Sequence, residues 1–535
     1  MTANRAPQAR FRILGVCLVA ALFAGYFAAH STHAAPAKSA AASRTLHLAF
    51  SYDQGSLDPD VFYYDQGLLV TTSCYEGLVR YKDNSIAIEP WLAKNYSISA
   101  DAKTYTFHLR PNVRFTDGSA LTSSVIKFDI ARRAGVNAGP AYMVGDIVRV
   151  DTPNPLTVVI HLRHPVSPFM HYLASPYGPK AVSEQAVKAH ATPKDKWAAK
   201  WLASNCAGTG PYTLSQVVVN QSYTLSAKPN YWGAKPYYTT VQIHQIPSFA
   251  TQQLELRSGE LDMMLVGIPP HQLSQFSSQG FSVTTLPSSG TATLWLDPHH
   301  LPFTNSNARL AAGLALNRQQ LISTVWGNTA TVNNSYTLPG TLPATYGGVY
   351  KIPYDVNRAK ALVKSLPSNA RNIKLDYDNS NVINPQIAGL IGQQLDAVGF
   401  HVTTQQIDES VEFTWHSAPD SKRPDMFIDL GNPDDADPSS YPVLDWFSSA
   451  GAVSFFPPLS PTADGLIEKG EAQKTLKQAY TLYGKALDMY GKLNAEVPLA
   501  SMRMVVVAHK GITGVAGQRQ GGNVALVDLA ALRGS

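Results

Sequence analysis

Three aspartates close together in the second half of the chain are the residues best suited to bind a charged ligand. Asp434, Asp435 and Asp437 follow the apolar run 426–428 and lie directly before the segment 438–440. A buried ammonium is costly unless a carboxylate meets it, so these side chains could pair with a cationic group. The alternative is a structural role, in which the aspartates form a turn and cap a helix.

Motifs for enzymatic chemistry are missing from the chain. The sequence contains no G-x-S-x-G nucleophile elbow, no H-E-x-x-H motif, no P-loop and no G-x-G-x-x-G motif. Gly208-Thr209-Gly210 is glycine-rich, but Pro211 removes one backbone donor and no Lys-Ser/Thr pair follows. This pattern favours a tight crossover turn over a phosphate cradle. We predict no catalytic residues and no cofactor.

The chain has 15 histidines, and they offer no pattern typical of a metal site. His161 and His164 lie at the end of a predicted strand, where their spacing places them on opposite faces. His299 and His300 lie in a proline-rich loop. Neither pair has a cysteine or carboxylate partner at ligand spacing, so we predict no metal site.

Helices and strands that would position these residues follow one another in the manner of an α/β fold. Apolar residues alternate with polar residues in some segments and follow helical spacing in others. Predicted strands cover 104–109, 156–162 and 401–407, and predicted helices cover 123–133, 387–398 and 476–490. Gly399 stands where a helix C-cap is expected, and the passage from that helix into the strand at His401 is typical of α/β layers.

The size and composition favour a globular protein of several domains. The chain has 535 residues, of which 44% are hydrophobic and only 15% are charged. Its net charge of +5 includes three arginines in the first 34 residues, so the charge gives no indication of a nucleic-acid partner. The composition also excludes a collagen, a coiled coil and a membrane protein with several spans.

The N-terminal segment 1–34 has the features of a secretory signal peptide. A basic region up to Arg12 precedes an apolar run over 13–29, and a small-residue cleavage site lies before Ala35. The apolar run is long for a signal, so an uncleaved anchor is the alternative. Residues 35–44 are rich in alanine and serine, which predicts a flexible leader.

Two cysteines, Cys74 and Cys206, remain once the signal is removed. In an oxidising compartment an even pair favours a disulfide, and two buried free thiols are the alternative. Their separation in space decides between the two.

Several blocks along the chain resemble the peptide/nickel class of extracytoplasmic solute-binding proteins, family 5. Each block is a weak signal alone, but their order and spacing over about 45–515 indicate the family. The blocks are Ser56-Leu57-Asp58-Pro59, the segments 75–81 (YEGLVRY), 89–93 (EPWLA), 105–110 (YTFHLR) and 115–118 (FTDG), Gly208-Thr209-Gly210-Pro211-Tyr212, Asn230-Tyr231-Trp232-Gly233, and 256–262 (LRSGELD).

The resemblance implies an α/β, two-lobed periplasmic-binding-protein fold, class II-like and of cluster C, with an extra domain inserted in the first lobe. Domain I would comprise 45–75, 206–285 and 496–535, domain II would be the insertion 76–205, and domain III would cover 286–495. Two chain crossings would then form a hinge, and ligand would drive closure by rotation of the lobes.

The same resemblance assigns roles to individual residues. In peptide-binding relatives, an aspartate three residues before an acidic residue and proline pairs with the α-ammonium of the ligand, and Asp434 holds that position. Tyr63, Tyr64 and Asp65 would lie along the ligand backbone, and Tyr142 would reach the ligand from domain II. Ordinary core positions are the alternative for the tyrosines.

Two features of the acidic segment bear on these roles. We expect Asp435 and Asp437 to be exposed neighbours of Asp434. Those relatives carry Gly-Trp just before the aspartate, whereas Leu430-Gly431-Asn432 stands here, which leaves the peptide ligand open.

The expected function is that of the substrate-binding component of an ABC importer. It would bind peptides in the cleft between the lobes and deliver them to an ABC permease in the membrane. We expect a monomer that is exported to the periplasm or the outer face of the cytoplasmic membrane and binds no nucleic acid. Alternatives are a binder of another small solute on the same fold, such as a sugar, an opine or a metal chelate, and an exported hydrolase.

Overall fold

The computed structural model describes most of the chain from Arg44 onward. The described ranges are 44–51, 54–63, 66–265, 268–412, 414–415, 418–431, 433–440, 460–515 and 527–534. The expected signal peptide 1–34 lies outside them, as does the expected leader apart from Arg44. Tyr64 and Asp65 also lie outside the described residues.

The N-terminal sheet joins the start of the described chain to its middle. Its strands lie in the order Thr45–Phe50, Thr240–Gln245, Ser222–Ala227 and Tyr212–Val218. The first two strands pair in parallel, and the other pairs are antiparallel. Residues from 46–75 and from 177–286 share one apolar core with residues from 504–532, so this part is assembled from distant segments.

The inserted sheet is formed by residues that lie, in the sequence, between the strands Thr45–Phe50 and Tyr212–Val218 of the N-terminal sheet. Its antiparallel order is Ala93–Ile98, Thr104–Leu109, Thr157–Leu162 and Ile147–Asn154. The short strands Val79–Tyr81 and Ile88–Pro90 pair beside it. Phe107, Val158 and Ile160 are fully buried in its core, as the alternating pattern predicts.

The six-stranded sheet contains strands from the second half of the chain. Its order is Ala330–Val332, Glu496–Met502, Thr291–Leu296, Met426–Asp429, Asn372–Asp378 and His401–Ile407. The last three strands are parallel to one another, and the other pairs are antiparallel. Trp295 and Trp415 are buried in its core.

Two neighbouring chain segments connect the six-stranded sheet to a three-stranded sheet. The three-stranded sheet has the order Met263–Met264, Met504–Ala508 and Ser282–Leu286. The chain leaves it after Leu286 and returns at Met504, and these two residues are paired. Met502 donates its N–H to the carbonyl of Gly290, 2.9 Å away, so the crossings lie side by side.

The strand Glu496–Met502 differs from the expected domain limits. It pairs with Thr291–Leu296, so the structure places it in the six-stranded sheet and not with the following residues of the expected domain I. Burial explains this assignment, because Val497, Leu499 and Ala500 pack into the core of the six-stranded sheet.

Helices pack on these sheets close to their predicted positions. The predicted helices are confirmed as Ser123–Val136, Asn384–Asp396 and Leu476–Leu493, and the predicted strands 104–109 and 401–407 are confirmed. Other described α-helices are Leu68–Cys74, Phe169–Ala174, Glu184–His190, Ala199–Leu202, Phe249–Ser258, Leu273–Ser278, Ser306–Ala315, Arg318–Leu321, Val356–Lys364, Glu409–Glu412 and Pro461–Glu471.

Candidate ligand site

Asp434 lies in the loop that leaves a central strand of the six-stranded sheet. The strand Met426–Asp429 is buried between two neighbours, so its end carries the chain out of the core at one edge of the sheet. This strand is parallel to its neighbour Asn372–Asp378, so the loop lies at the carboxyl end of a parallel pair. In α/β proteins this is a common place for ligands to bind.

The three aspartates of this loop have different roles. Asp435 Oδ1 accepts the N–H of Asp437 at 2.7 Å, and Asp437 Oδ1 accepts the N–H of Ser439 at 2.9 Å. These two carboxylates therefore form the local turns that the structural alternative predicts. Asp434 instead points away from its own loop toward other parts of the molecule.

The carboxylate of Asp434 accepts hydrogen bonds from hydroxyl groups of two distant parts of the chain. The hydroxyl of Tyr142 donates to Asp434 Oδ2 at 2.8 Å, and the hydroxyl of Tyr63 donates to the same oxygen. Tyr63 belongs to the segment after the first strand of the N-terminal sheet, and Tyr142 belongs to a turn before the inserted sheet's last-paired strand, Ile147–Asn154. The structure thus brings together three of the predicted site residues, each from a segment that connects elements in a different part of the molecule.

A glycine allows the two tyrosine-bearing segments to approach each other. Gly139 begins the turn Gly139–Val144 with φ of +42°, and a Cβ atom there would lie 3.3 Å from the carbonyl oxygen of Val61. The turn therefore packs directly against the segment that contains Val61 and Tyr63. The ring of Tyr142 also packs edge-to-face against Tyr172, with centroids 5.6 Å apart.

Burial keeps Tyr142 in its donor form. The pKa of the Tyr142 hydroxyl is raised well above its ordinary value by burial and by the nearby charge of Asp434. Asp434 itself is 9% exposed. The Tyr142 hydroxyl is therefore neutral, so it orients the carboxylate without cancelling its charge.

The expectation that Asp435 and Asp437 are exposed is wrong. Their side chains are 3% and 0% exposed, because the loop 433–440 is covered by the inserted part of the chain. The N–H of Ala436 donates to Tyr81 OH at 2.9 Å, and Ala436 is buried in the core of the inserted sheet. Burial raises the pKa of both carboxyl groups.

Further groups around this loop were not identified from the sequence. Ser175 donates its hydroxyl to the carbonyl of Asp434, and Tyr81 OH lies 3.2 Å from His171 Nδ1. Burial lowers the pKa of His171, so its ring is neutral near pH 7. Tyr81 lies in the motif 75–81, but its contact with His171 spans 90 residues and that of Ser175 with Asp434 spans 259, so the sequence does not show either contact.

A second set of contacts joins the inserted part to the helices beside the six-stranded sheet. The N–H of Ser167 donates to the carbonyl of Glu471 at 2.6 Å, and its hydroxyl lies 3.1 Å from that of Tyr483. Burial, followed by the charge of Asp437, raises the pKa of Glu471 to about 8. The described structure is thus one in which the two sides of the molecule touch.

Cys74 and Cys206 are joined by a disulfide, with Cα atoms 6.0 Å apart. The two cysteines are 132 positions apart in the sequence. Both belong to the core beneath the N-terminal sheet. This places the pair at the crossing from the inserted part back to that sheet.

The glycines that follow Cys206 serve this crossing. A Cβ atom on Gly208 would lie 2.1 Å from the carbonyl oxygen of Cys74, and one on Gly210 would lie 2.4 Å from that of Ser73. The backbone of this segment therefore lies in direct contact with the backbone of Ser73 and Cys74, as the interpretation as a crossover turn predicts.

Three histidines of these pairs contact carboxylates close to them in the sequence. His161 Nε2 lies 2.9 Å from Asp151, His164 Nε2 lies 3.1 Å from Asp146, and His299 Nδ1 lies 3.0 Å from Asp297. Among the described residues, no group of three or more His, Cys, Asp or Glu side chains is arranged to hold a metal ion. Within the same residues, no helix is long and apolar enough to cross a membrane.

The fold and this site define a class of protein: a multi-sheet α/β binding protein with two chain crossings and a carboxylate between its parts. Comparison with known families identifies it further. Residues 87–453 match the family described as "Bacterial extracellular solute-binding proteins, family 5 Middle". The chain belongs to this family, and it is the substrate-binding component of an ABC importer.

Individual relatives agree with this assignment. The chain is 26% identical over 406 residues to the "Probable D,D-dipeptide-binding periplasmic protein DdpA" of Escherichia coli, covering 74% of this chain and 76% of the relative. It is 25% identical over 390 residues to the "Nickel-binding periplasmic protein" of the same organism, covering 69% of this chain and 72% of the relative.

A solved structure shows the same fold. The periplasmic binding protein DppA from Helicobacter pylori, in complex with the peptide STSA, superposes with a TM-score of 0.77 at 22% identity. The match covers 92% of this chain and 98% of that one. The family consists of binding proteins for transport, and its relatives are extracytoplasmic.

Proposed function

We propose that this protein binds short peptides and that Asp434 pairs with the peptide's α-ammonium group. The observation that supports this most directly is the position of the Asp434 carboxylate between three sheets, with hydroxyl groups of Tyr63 and Tyr142 on one of its oxygens. A buried carboxylate is stabilised by an ammonium in contact with it. The two tyrosines hold the carboxylate in place in the closed form, in which the two sides of the molecule touch.

Binding would proceed without covalent chemistry, and the protein is not an enzyme in this proposal. Backbone hydrogen bonds would fix the peptide along the segment containing Tyr63, Tyr64 and Asp65, so that many side chains are tolerated. Rotation about the crossings at 286–291 and 502–504 would close the molecule over the ligand. Domains I, II and III would move as the two lobes expected from the sequence.

The cellular role follows from this binding cycle. The chain would be exported by its N-terminal signal and act as a monomer outside the cytoplasmic membrane. The closed form would dock on an ABC permease and release its ligand there. No cofactor takes part in this cycle.

A metal chelate or another small solute is the second candidate ligand. It is favoured by the similarity to the nickel-binding protein and by Leu430-Gly431-Asn432, which replaces the expected Gly-Trp. A chelate carrying no free ammonium would not depend on the charge of Asp434.

Calorimetric titration of tri-alanine, N-acetyl-tri-alanine and a nickel–histidine chelate tests the proposal. We expect tri-alanine to bind, and N-acetylation to weaken its binding to the unaltered protein. Asp434→Asn removes the charge at constant shape and leaves the ammonium unpaired, so the affinity for tri-alanine should fall about 30-fold or more.

The matched control is Asp408→Asn, because Asp408 is an exposed carboxylate. Asp435 and Asp437 are unsuitable controls, since both are buried in the turns of the loop. Equal affinities for tri-alanine in both variants, or binding of the chelate alone, would reject the ammonium role of Asp434.

A further inference from the structure

A cavity lies outside the site at Asp434. Its volume is about 320 Å³, which is at the lower end of the range typical of small-molecule sites. Its described wall comes from four parts of the chain, 72–91, 174–180, 211–234 and 527–533. The six-stranded sheet contributes no residue to that described wall. The segment around Ser175 separates the cavity from Asp434.

Lys180 is a buried cation in the wall of this cavity. Its side chain is 9% exposed, and its ammonium group donates one hydrogen bond, to the carbonyl of Ser175 at 2.7 Å. It forms no ion pair within the described part of the chain. The nearby charge is the like charge of Arg133, which is engaged with Asp60. Burial, followed by Arg133, lowers the pKa of Lys180 to about 7.

The carboxylate of Glu76 in the same wall has no acceptor capacity left. Oε1 accepts from Trp91 Nε1 at 2.7 Å and from Tyr231 OH at 2.7 Å. Oε2 accepts from Thr209 Oγ1 at 2.8 Å and from Trp232 Nε1 at 2.9 Å. Two donors on each oxygen use all four lone-pair positions, so Glu76 is a structural carboxylate.

Besides Lys180, the described wall includes the cations Arg80 and Arg533, and Arg80 is paired with Glu89 at 2.8 Å. Arg533 in the wall donates through Nη1 to the carbonyls of Ala530 and Leu532. A buried ammonium without a carboxylate partner is unfavourable and is stabilised when an anion reaches it. The acidic groups of Glu76 and Asp528 also line the cavity and would repel a dianion. Trp91 and Tyr231 also line the cavity, and the Arg80 guanidinium lies over the Trp91 ring, so an apolar ligand body would lie mainly against Tyr231.

We propose that this cavity is a second ligand site, which takes a small organic monocarboxylate whose carboxylate pairs with Lys180. The site is independent of the peptide proposal, because its wall does not include Asp434, Tyr63 or Tyr142. The ligand's apolar part would lie mainly against Tyr231, and Arg533 would assist from the opposite end of the chain.

Calorimetric titration of the full mature chain with benzoate tests this site, with benzamide and inorganic phosphate as comparisons. We expect benzoate to bind and the uncharged benzamide to bind at least about tenfold more weakly. Phosphate should also bind more weakly than benzoate, because the acidic wall disfavours a second negative charge. Stronger binding of phosphate would overturn the assignment to monocarboxylates.

Lys180→Met should weaken benzoate binding about 30-fold or more, since the charge partner is lost. The matched control is Lys188→Met, because Lys188 is 67% exposed and pairs only with Glu184 of its own helix among the described residues. Asp434→Asn should leave benzoate binding unchanged. Absence of benzoate binding by the unaltered protein, or equal affinities in the two lysine variants, would overturn the proposal.

Proton uptake gives a second readout that does not depend on the folding of a variant. At about pH 8 the ammonium of Lys180 is mostly deprotonated in the free protein, because its pKa is lowered to about 7, and a bound carboxylate favours its charged form. Benzoate binding should therefore take up protons at about pH 8 and almost none at about pH 6, measured by titration in buffers of different ionisation enthalpy. Binding without this uptake would place benzoate away from Lys180.

Discussion

At the scale of single residues, the three aspartate side chains of one loop make different contacts. Asp435 and Asp437 turn back to accept backbone N–H groups of their own loop. Asp434 extends to hydroxyl groups that come from positions 371 and 292 residues away. Residue type is the same in all three cases, so the difference lies in what surrounds each side chain.

Tyr142→Phe should weaken binding of tri-alanine without unfolding the protein. The substitution removes the 2.8 Å hydrogen bond to Asp434, and a hydrogen bond to a charged group contributes about 1.5–3 kcal/mol. The expected loss of affinity is about 10- to 150-fold by calorimetry. Tyr354→Phe is the control, because Tyr354 is 53% exposed. An unchanged affinity in Tyr142→Phe would mean that this hydroxyl does not orient Asp434.

At the scale of elements, the crossing near Cys206 depends on backbone contact. The helix Leu68–Cys74 ends where the returning chain passes, and Gly210 donates its N–H to the carbonyl of Cys74 at 2.9 Å. Glycine leaves room for this contact, since there is no side chain between the two backbones. The turn therefore fixes the inserted part of the chain to the N-terminal sheet.

Gly208→Ala should destabilise the protein, because the new Cβ would meet the carbonyl of Cys74, which is backbone and cannot rotate away. Overpacking of this kind costs about 1–3 kcal/mol, and we expect the upper part of that range in urea unfolding. Gly389→Ala is the control, since it lies within the helix Asn384–Asp396 with open space around it. There alanine should stabilise by about 0.5–1 kcal/mol. Equal stabilities would contradict the contact.

Exported protein should contain the Cys74–Cys206 disulfide. A bond across 132 positions restricts the unfolded chain, which in the simple loop-entropy model stabilises the native state by about 4–5 kcal/mol. Mass analysis after alkylation without reductant should find neither thiol modified. Two alkylated cysteines would show that the thiols are free.

At the scale of the whole molecule, hydrogen bonds within the described ranges join the inserted part to the six-stranded side in two regions. One is the loop at Asp434, and the other is Ser167 with the helix residues Glu471 and Tyr483. The two crossings lie side by side in the three-stranded sheet. Rotation about two adjacent crossings can separate these contacts, and it would withdraw Ala436 from the core of the inserted sheet.

Small-angle scattering should detect this rotation. Addition of tri-alanine should reduce the radius of gyration at unchanged secondary structure, because ligand stabilises the form in which the two sides touch. The Asp434→Asn variant serves as the control and should show the change only at higher peptide concentration. Identical scattering curves with and without saturating peptide would argue against ligand-driven closure.

The stability of the folded protein should depend on Glu471 as pH rises. Its pKa is raised to about 8 from an ordinary value of 4.5, first by burial and then by Asp437. Between pH 4.5 and about pH 8 the folded state therefore keeps a proton that the unfolded state has released. The free energy of unfolding falls as pH rises through this range. Glu471→Gln should remove a pH dependence of at most about 1.4 kcal/mol per pH unit.

The comparison between the two proteins removes this carboxyl group together with its contribution to the raised pKa of Asp435. Lys180 has the opposite effect on the free energy of unfolding, because its lowered pKa makes the folded state more stable as pH rises above about 7. Lys180 is present in both proteins, so its effect is the same in both. His171, Asp437 and Asp435 also remain in both. Glu468→Gln, on an exposed position of the same helix, is the control. Parallel curves of unfolding free energy against pH for Glu471→Gln and the unaltered protein would exclude the effect.

The sequence by itself determined the local elements and the family. Alternation and helical spacing depend on near neighbours, so strands such as 104–109 and helices such as 476–490 could be predicted to within a few residues at their ends. The motif order indicated the solute-binding fold, and the aspartate before Asp437-Pro438 could be named as a candidate. These are properties that a short stretch of chain carries with it.

The tertiary structure alone decided which residues meet. Segments far apart in sequence determine the burial of Asp435 and Asp437 and the contact of Ser175 with Asp434. They also determine that Lys180 is buried with no ion pair among the described residues, and that the strand 496–502 lies in the six-stranded sheet. Hydrophobic and hydrogen-bond patterns specify which face of an element is buried, but they do not specify against what it is buried. Desolvation and charge act over a few ångströms of space, and that distance exists only once the cores have packed together.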